Sequence, residues 1–440
     1  MAHNSGIATP VDDAASLAEW LTIRPGMAFE EAFSRFDLVV STLQDADSLR
    51  RVTREAVEDL AADGVVHAEI RFAPLLHTFG GLTPADILAA VEAGLDDGAA
   101  ASGLDARLIL CAMRDQPVEA TIQTVRLAAA AAGRVVGVDL AGGEVGHPAA
   151  DHASAFTIAH EAGLGVTIHA GEMDGSHQVA SALDTCEPHR IGHGWRLIDD
   201  CEVSNGRIVG LGPTASRVRN RGIPLEICLT SNACLGLSVE NHPVRLLRDA
   251  GFRVTLNPDD RSITTTSARR ELDLAATHHG FSAADLAQCS ERAAVAAFLP
   301  DAQRRDLVAE VRAGWDPHPA RLVHLAQRSR WEAGRSAGAY LPDEFDADGF
   351  IHLSSLHQVL SPANALYQGR QDLVALVIDA HLVSHALVWE PGTGTLEWFP
   401  HLYGALVPDA VLQEIDFRPG ADGSFLIPPS LAQAVEGRAR

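Results

Sequence analysis

Between Val65 and Asp260 one pattern returns seven times: a short apolar run rich in β-branched residues, a polar residue or glycine, then a stretch of Ala, Leu, Glu and Arg at helical spacing. The runs are Val65–Pro74, Ala106–Met113, Val135–Gly142, Gly165–Gly171, His189–Trp195, Pro224–Asn232 and Arg253–Asp260. Each is apolar almost continuously, where a half-exposed strand would alternate, so each needs cover on both faces. A parallel sheet wrapped by helices meets that need, which makes the fold class α/β. Seven units are one short of an eight-stranded barrel, and a doubly wound open sheet is the alternative. No Gly-rich phosphate loop follows any run, which counts against an open nucleotide-binding sheet. The pattern predicts a TIM-type (β/α)8 barrel lacking its first strand.

The chain has 440 residues, more than one ordinary domain of roughly 100–200. Its helical pattern stops at Gly314-Trp-Asp-Pro-His-Pro319, where two prolines exclude a helix interior. All three tyrosines and three of the six tryptophans lie beyond Arg330, so the tail has a core of different design. The runs Leu373–Ile378 and Ala386–Trp389 read as short strands. The expected division is a barrel over residues 1–315 and a small α+β domain over 321–440.

Asp and Glu exceed Lys and Arg, 58 to 34, for a formal charge of −24. Such a balance repels phosphate backbones and anionic membranes, and favours a neutral or small polar substrate over a nucleic-acid or lipid partner. The six cysteines form no Cys-x-x-Cys pair, so neither a zinc knuckle nor a disulfide framework is expected. The N-terminus, Met-Ala-His-Asn-Ser-Gly, has no basic region followed by an apolar run, and no stretch of about 18 apolar residues occurs. The expected compartment is the cytoplasm.

In a barrel, polar residues that close apolar strands converge on one mouth. The run Val166-Thr-Ile-His169-Ala-Gly-Glu172 closes with an imidazole and a carboxylate, Arg190-Ile-Gly-His193-Gly with a second imidazole, and Val254-Thr-Leu-Asn-Pro-Asp259-Asp260 with two carboxylates. The run Val135–Gly142 ends in glycines, where a backbone N–H can approach a ligand. Adjacent Asp259 and Asp260 point different ways, so one can hold a metal while the other faces substrate. His169 adds the nitrogen that zinc accepts beside oxygen. Together they suggest a hydrolytic Zn²⁺ site, with Glu172 as proton carrier and His193 orienting or deprotonating the attacking water. Glu69 and Arg71, two apart, read as a paired layer inside the barrel. His147, His152, His278 and His279 read as solvated surface.

These motifs resemble the adenosine/AMP deaminase family of the amidohydrolase superfamily. The similarity spans about Ala2 to Arg312. It rests on Ala68-Glu-Ile-Arg-Phe-Ala-Pro74 with Leu76-His-Thr78, Asp139-Leu-Ala-Gly142, His169-Ala-Gly-Glu172, Arg190-Ile-Gly-His-Gly194, Thr230-Ser-Asn232, His242-Pro243 and Asn257-Pro-Asp-Asp260. The resemblance implies zinc ligation by His169 and Asp259, proton donation to purine N1 by Glu172 and water activation by His193. It also implies purine contacts from Asp260 and the Gly142 backbone. The reaction implied is hydrolytic loss of the 6-amino group of adenosine or a related 6-aminopurine, giving inosine and ammonia from adenosine.

The sequence departs from the family at strand one, where a His-x-His pair supplies two further zinc ligands. No His-x-His occurs in this chain. Around the aspartate pair, Pro258 stands where Thr is usual and Arg261 where Pro is usual, and a Gly-rich insertion lies near Val203–Pro213. One expectation is a start upstream of Met1 that encodes the missing strand. A second is a catalytically impaired purine-binding protein, and a third places the activity in the tail. An unclosed barrel would favour pairing with another chain through its edges. The tail, from about Arg321 to Ile427, resembles the uncharacterised family called domain of unknown function 952 through Asp348-Gly-Phe-Ile-His-Leu-Ser354, Gln358, Trp389-Glu390 and Phe399-Pro-His-Leu-Tyr-Gly404. Its His352, Ser354, Glu390 and His401 either line a small pocket or hold a small aromatic core together.

Overall fold

The computed structural model describes residues 7–436 apart from 12, 28, 132, 316–320, 357, 392–397, 421, 422 and 424. The chain forms two compact units, Met1–Arg312 and Ala313–Arg440. The prolines read as a domain joint lie outside the described residues.

In the first unit the strands are β1 (His67–Phe72), β2 (Asp105–Met113), β3 (Val135–Ala141), β4 (Gly165–Ala170), β5 (Arg190–His193), β6 (Cys201–Ser204), β7 (Arg207–Leu211), β8 (Leu225–Ile227) and β9 (Val254–Leu256). Seven of them form one sheet in the order β1-β2-β3-β4-β5-β8-β9, every neighbouring pair parallel. Each apolar run of the sequence carries one of these strands, and the fold is a curled parallel α/β sheet of the TIM-barrel type. The run Pro224–Asn232 overshoots, because a helix starts at Leu229.

The Gly-rich segment after β5 is not an irregular connection. β6 and β7 form an antiparallel hairpin whose turn, Asn205-Gly206, is left-handed at both residues (φ 50° and 69°). That conformation matches the twist of a two-residue hairpin, and Asn-Gly is its usual sequence signal.

Helices cover the sheet where their apolar faces demand it. The helix Pro84–Ser102 starts on a capping box between Thr83 and Asp86 and ends at left-handed Gly103. It packs on the helix Ala46–Ala62 through glycines, since a Cβ at Gly94 would fall 2.4 Å from the Arg50 carbonyl oxygen. At the other end of the strands Phe298 fills the space left by two more glycines, and a Cβ at Gly165 would lie 2.2 Å from its ring.

Charged side chains fill the inside of the sheet. Glu69 on β1 accepts from Arg190 on β5 at 2.6 Å and from the Phe298 N–H at 2.6 Å. Arg190 reaches Glu226 on β8 at 2.7 Å, and Glu226 also accepts from Thr167 and from Arg71, each at 2.9 Å. Arg71 bridges onward to Asp139 on β3 at 2.9 Å, and Asp139 meets His169 on β4. Glu69 and Arg71 therefore do belong to a buried ionic layer, but each pairs with other strands. Residues two apart along a strand face inward one level apart, which puts their partners at different heights.

In the second unit β10 (Arg321–Gln327), β12 (Leu373–Asp379) and β15 (Val411–Phe417) form one antiparallel sheet. β11 (Ile351–His352), β13 (Ala386–Pro391) and β14 (Trp398–Tyr403) form another, in the order β11-β14-β13. β12 is the buried centre: Val374, Leu376 and Ile378 enter one apolar cluster with Trp331 and Tyr340, while Leu373, Ala375 and Val377 enter a second with Phe417 and Phe425. The helices include Arg328–Ala337 and Pro429–Glu436, so the tail is a small α+β domain. His324 is buried there, donating Nδ1–H to the His352 carbonyl at 2.7 Å and accepting from the Tyr340 hydroxyl at 3.0 Å.

Replacing Glu226→Gln takes the shared anion from the buried Arg190 guanidinium and from the partly exposed Arg71 guanidinium, and is expected to lower stability by about 3 kcal/mol. Urea unfolding of the variant against Asp249→Asn, an exposed control, measures it; a loss under about 1 kcal/mol contradicts the account. His324 gives a pH signature. Burial lowers its pKa from the ordinary histidine value to about 4. The unfolded chain takes up a proton near pH 6.5 that the folded tail refuses until about pH 4, so stability is present above this window and lost as pH falls through it, by up to about 3 kcal/mol. Unfolding midpoints of the tail at pH 7.5 and 4.5 show this, with a smaller difference in His324→Gln.

Candidate active site

His169, Glu172, His193, Asp259 and Asp260 all stand at or just beyond the C-terminal ends of β4, β5 and β9. One atom each from His169, His193 and Asp259 lies within 4.8 Å of the others, the spacing of a group able to hold a metal ion. His193 Nε2 lies 3.3 Å from Glu172 Oε1 and 3.7 Å from Asp259 Oδ2. Both His193 and Asp259 have left-handed backbones, each with φ 58°. A non-glycine residue in that region is uncommon, and here it turns the side chain toward the mouth where the strand would otherwise continue. A cavity of about 440 Å³ opens beside the cluster, lined by Glu172, Trp195, Asn232 and Leu237 and by Met27 and Ala32 of the N-terminal segment. That size suits a small organic ligand.

The charges in this pocket are set by burial and by one another. Burial, which would lower the pKa of His169, is outweighed by Asp139 at 2.9 Å, and the imidazole rises to about 9. Burial pushes Glu172 up to about 8, with Asp259, Glu144 and Asp260 adding to the effect. His193 goes the other way, to about 4, because burial opposes its charged form. The contact between Glu172 and His193 therefore joins two neutral groups near pH 7 and is no ion pair. Asp260 is raised by burial and by Asp259 beside it. Asp259 is held low against its own burial by His193 and His169.

Several contributors had no role assigned from the sequence: Asp139 and Thr230-Ser-Asn232 stood only in the family motifs, and Glu144 and Arg114 in none. Asp139 fixes His169 from behind, which leaves Nε2 facing the pocket. Glu144, fully buried, accepts from four consecutive backbone N–H groups, those of Gly171, Glu172, Met173 and Asp174, at 2.6 to 3.0 Å. It thereby anchors the turn that carries Glu172. Arg114 braces the same place by donating to the His169 carbonyl. The Thr230-Ser-Asn232 motif serves three neighbours: Thr230 bonds Glu271 at 2.5 Å, Ser231 bonds Asp259, and Asn232 bonds His193 at 3.1 Å. The position of Glu144 three residues beyond a strand end was the available signal.

Two histidines read as surface are buried. His152 bonds Thr121 at 2.7 Å and the Arg114 carbonyl at 3.1 Å, and His279 is 5% exposed at the end of an amphipathic helix. His147 and His278 are exposed. Gly142 directly follows β3, with φ 98°, beside Met113 and Arg114. In the tail, His352 and His401 stand opposite each other on β11 and β14, and His401 Nδ1 meets Glu390 at 2.9 Å. Ser354 pairs elsewhere, with Val323.

The adenosine deaminase family pattern matches residues 1–314, and that of the protein family of unknown function DUF952 matches residues 325–414. The chain is 38% identical over 310 residues to an adenosine deaminase of Mycobacterium leprae, covering 69% of this chain and 85% of that one. Among solved structures, an adenine deaminase from Arthrobacter aurescens superposes with a TM-score of 0.63 at 25% identity, covering 70% of this chain and 91% of that one. An amidohydrolase from Burkholderia ambifaria with bound Zn gives a TM-score of 0.64 at 26% identity, covering 72% and 85%. With its polar strand ends converging on one mouth and this match across most of its length, the chain belongs to the adenosine deaminase family, hydrolases acting on C–N bonds, and carries a DUF952 domain at its C-terminus.

Proposed function

We propose that this chain hydrolyses the 6-amino group of adenosine or a related 6-aminopurine, releasing ammonia and, from adenosine, inosine. The observation that carries the reading is the meeting of His169, His193 and Asp259 within 4.8 Å beside a carboxyl, Glu172, that burial keeps protonated. A neutral nucleoside also suits a chain of charge −24 better than a polyanion does. Its place of action is then the cytoplasm, with no nucleic-acid or membrane partner.

The residues present fit a divalent cation. His169 commits Nδ1–H to Asp139 and turns Nε2 to the pocket, where a cation would take the place of its proton, and Asp259 is held in its ionised form. His169 and Asp259 would hold Zn²⁺, which supplies acidity to a water molecule at neutral pH. Glu172 carries a proton to ring N1 as the water oxygen adds to C6; C6 becomes tetrahedral, and the amine takes a proton that came from the water and leaves as ammonia. Asp260, raised toward its neutral form, and the Gly142 backbone hold the purine ring in register. His193 governs the water.

A second reading rests on the absence of His-x-His from the 440 residues: a purine-binding protein with impaired catalysis. One set of measurements separates the two. Elemental analysis of the purified chain is expected to find about one zinc per chain, and adenosine to be deaminated. Glu172→Gln is expected to lower kcat by about 10²–10⁴-fold with little change in KM. Adenosine binding by calorimetry without ammonia release supports the second reading, and no binding at all removes both.

A further inference from the structure

At the mouth His193 has three possible roles: metal ligand, base toward water, or hydrogen-bond donor to water. The first two need a lone pair on Nε2. Which nitrogen carries the proton is decided by the partners of the other nitrogen, and those form a chain that ends on the backbone.

The Val244 N–H donates to His242 Nδ1 at 3.1 Å. A backbone N–H cannot accept, so His242 Nδ1 holds the lone pair and its proton sits on Nε2. That Nε2 lies 3.2 Å from Asn232 Oδ1 and donates to it. The Asn232 amide is thereby oriented, and its Nδ2–H points at His193 Nδ1, 3.1 Å away. The opposite amide orientation would set an N–H donor against a ring nitrogen already donating. His193 Nδ1 must accept, which leaves the ring proton on Nε2, the atom 3.3 Å from Glu172 and 3.7 Å from Asp259. All three side chains are buried, with His242 at 4%, Asn232 at 1% and His193 at 2% exposure, so water cannot replace a mismatched link cheaply.

We infer that the backbone of Val244, acting through His242 and Asn232, locks His193 as an Nε2–H donor, so that His193 orients the attacking water and neither ligates the metal nor removes the water's proton. The inference rests on the deaminase reading for what His193 orients, though not for its tautomer. Asn232 and His242 are positioning residues: neither need touch the reacting atoms. The proton shed by water as the C6–O bond forms passes to the ionised Asp259 carboxylate and from there to the departing amine, while N1 receives the proton of Glu172, which the C6 hydroxyl proton then restores. The arrangement also accounts for the two motifs Thr230-Ser-Asn232 and His242-Pro243, which stand ten residues apart and meet only in the fold.

The tautomer is read directly by ¹⁵N NMR of the ring nitrogens of the full-length wild-type chain, the His193 signals assigned by their loss in His193→Gln. The expected result is a protonated Nε2 and an unprotonated Nδ1; the reverse overturns the inference whatever the activity. The second test inverts the chain. In Asn232→Asp the carboxylate accepts from both histidines, so His193 turns to the Nδ1–H form. With zinc content and melting temperature checked to be unchanged, kcat for adenosine is expected to fall about 100-fold or more, while KM and inosine affinity stay within about threefold. His242→Gln, which still offers an N–H to Asn232 Oδ1, is expected to keep kcat within about fivefold of wild type. Retention of kcat in Asn232→Asp with an inverted tautomer overturns the orienting role. Wild-type chain that does not deaminate adenosine would fail the functional reading alone, since the NMR result still decides the lock.

Discussion

The fold and its mouth are joined by a buried chain of alternating charge: Glu69, Arg190, Glu226, Arg71, Asp139 and His169. No member can be satisfied alone in that interior, because an unpaired buried charge costs several kcal/mol. Each ion therefore fixes the strand that carries it relative to another, and the chain ties β1, β3, β4, β5 and β8 at defined heights. Its upper end is a site residue. The orientation of His169 is thus inherited from the packing of the sheet, with Asp139 as the point of transfer.

Above this layer the site is assembled from backbone as much as from side chains. Left-handed turns at His193 and Asp259 aim both groups into one space, and Ser231 and Asn232, one helical turn past β8, reach back to them. Burial then separates neighbouring groups by charge state: Glu172 rises, His193 falls, and Asp259 stays ionised. Titratable groups driven apart by one environment are what acid and base roles require at a single pH.

Much of the sheet was legible in the sequence, because parallel strands covered on both faces must be apolar throughout and seven such runs stood between helical stretches. The strand-end residues were legible for the same reason: a polar side chain closing an apolar run has few places to go except the mouth. What the sequence hid was pairing. Glu69 and Arg71 are two apart and of opposite sign, which suggests a mutual bond, yet their charged partners across the sheet lie 68 to 155 positions away. His152 and His279 looked solvated because they are polar residues in loops and helices, but each sits at a buried helix end where its ring fills space. The hairpin at β6 and β7 was legible in its Asn-Gly turn, flanked by Val203 and Ile208, and was obscured by the glycines around it.

The grip of Glu144 on four successive amides involves no side chain of the segment it holds. Residue 173 can therefore change identity, proline excepted, without loosening the anchor, whereas the Asp174 carboxylate accepts from Gln178, which also holds the Glu144 carbonyl. Met173 lines the cavity. Selection on which molecules enter can thus act on that rim independently of Glu172 next to it, a separation that lets one scaffold diversify its guests while the neighbouring carboxyl stays in place.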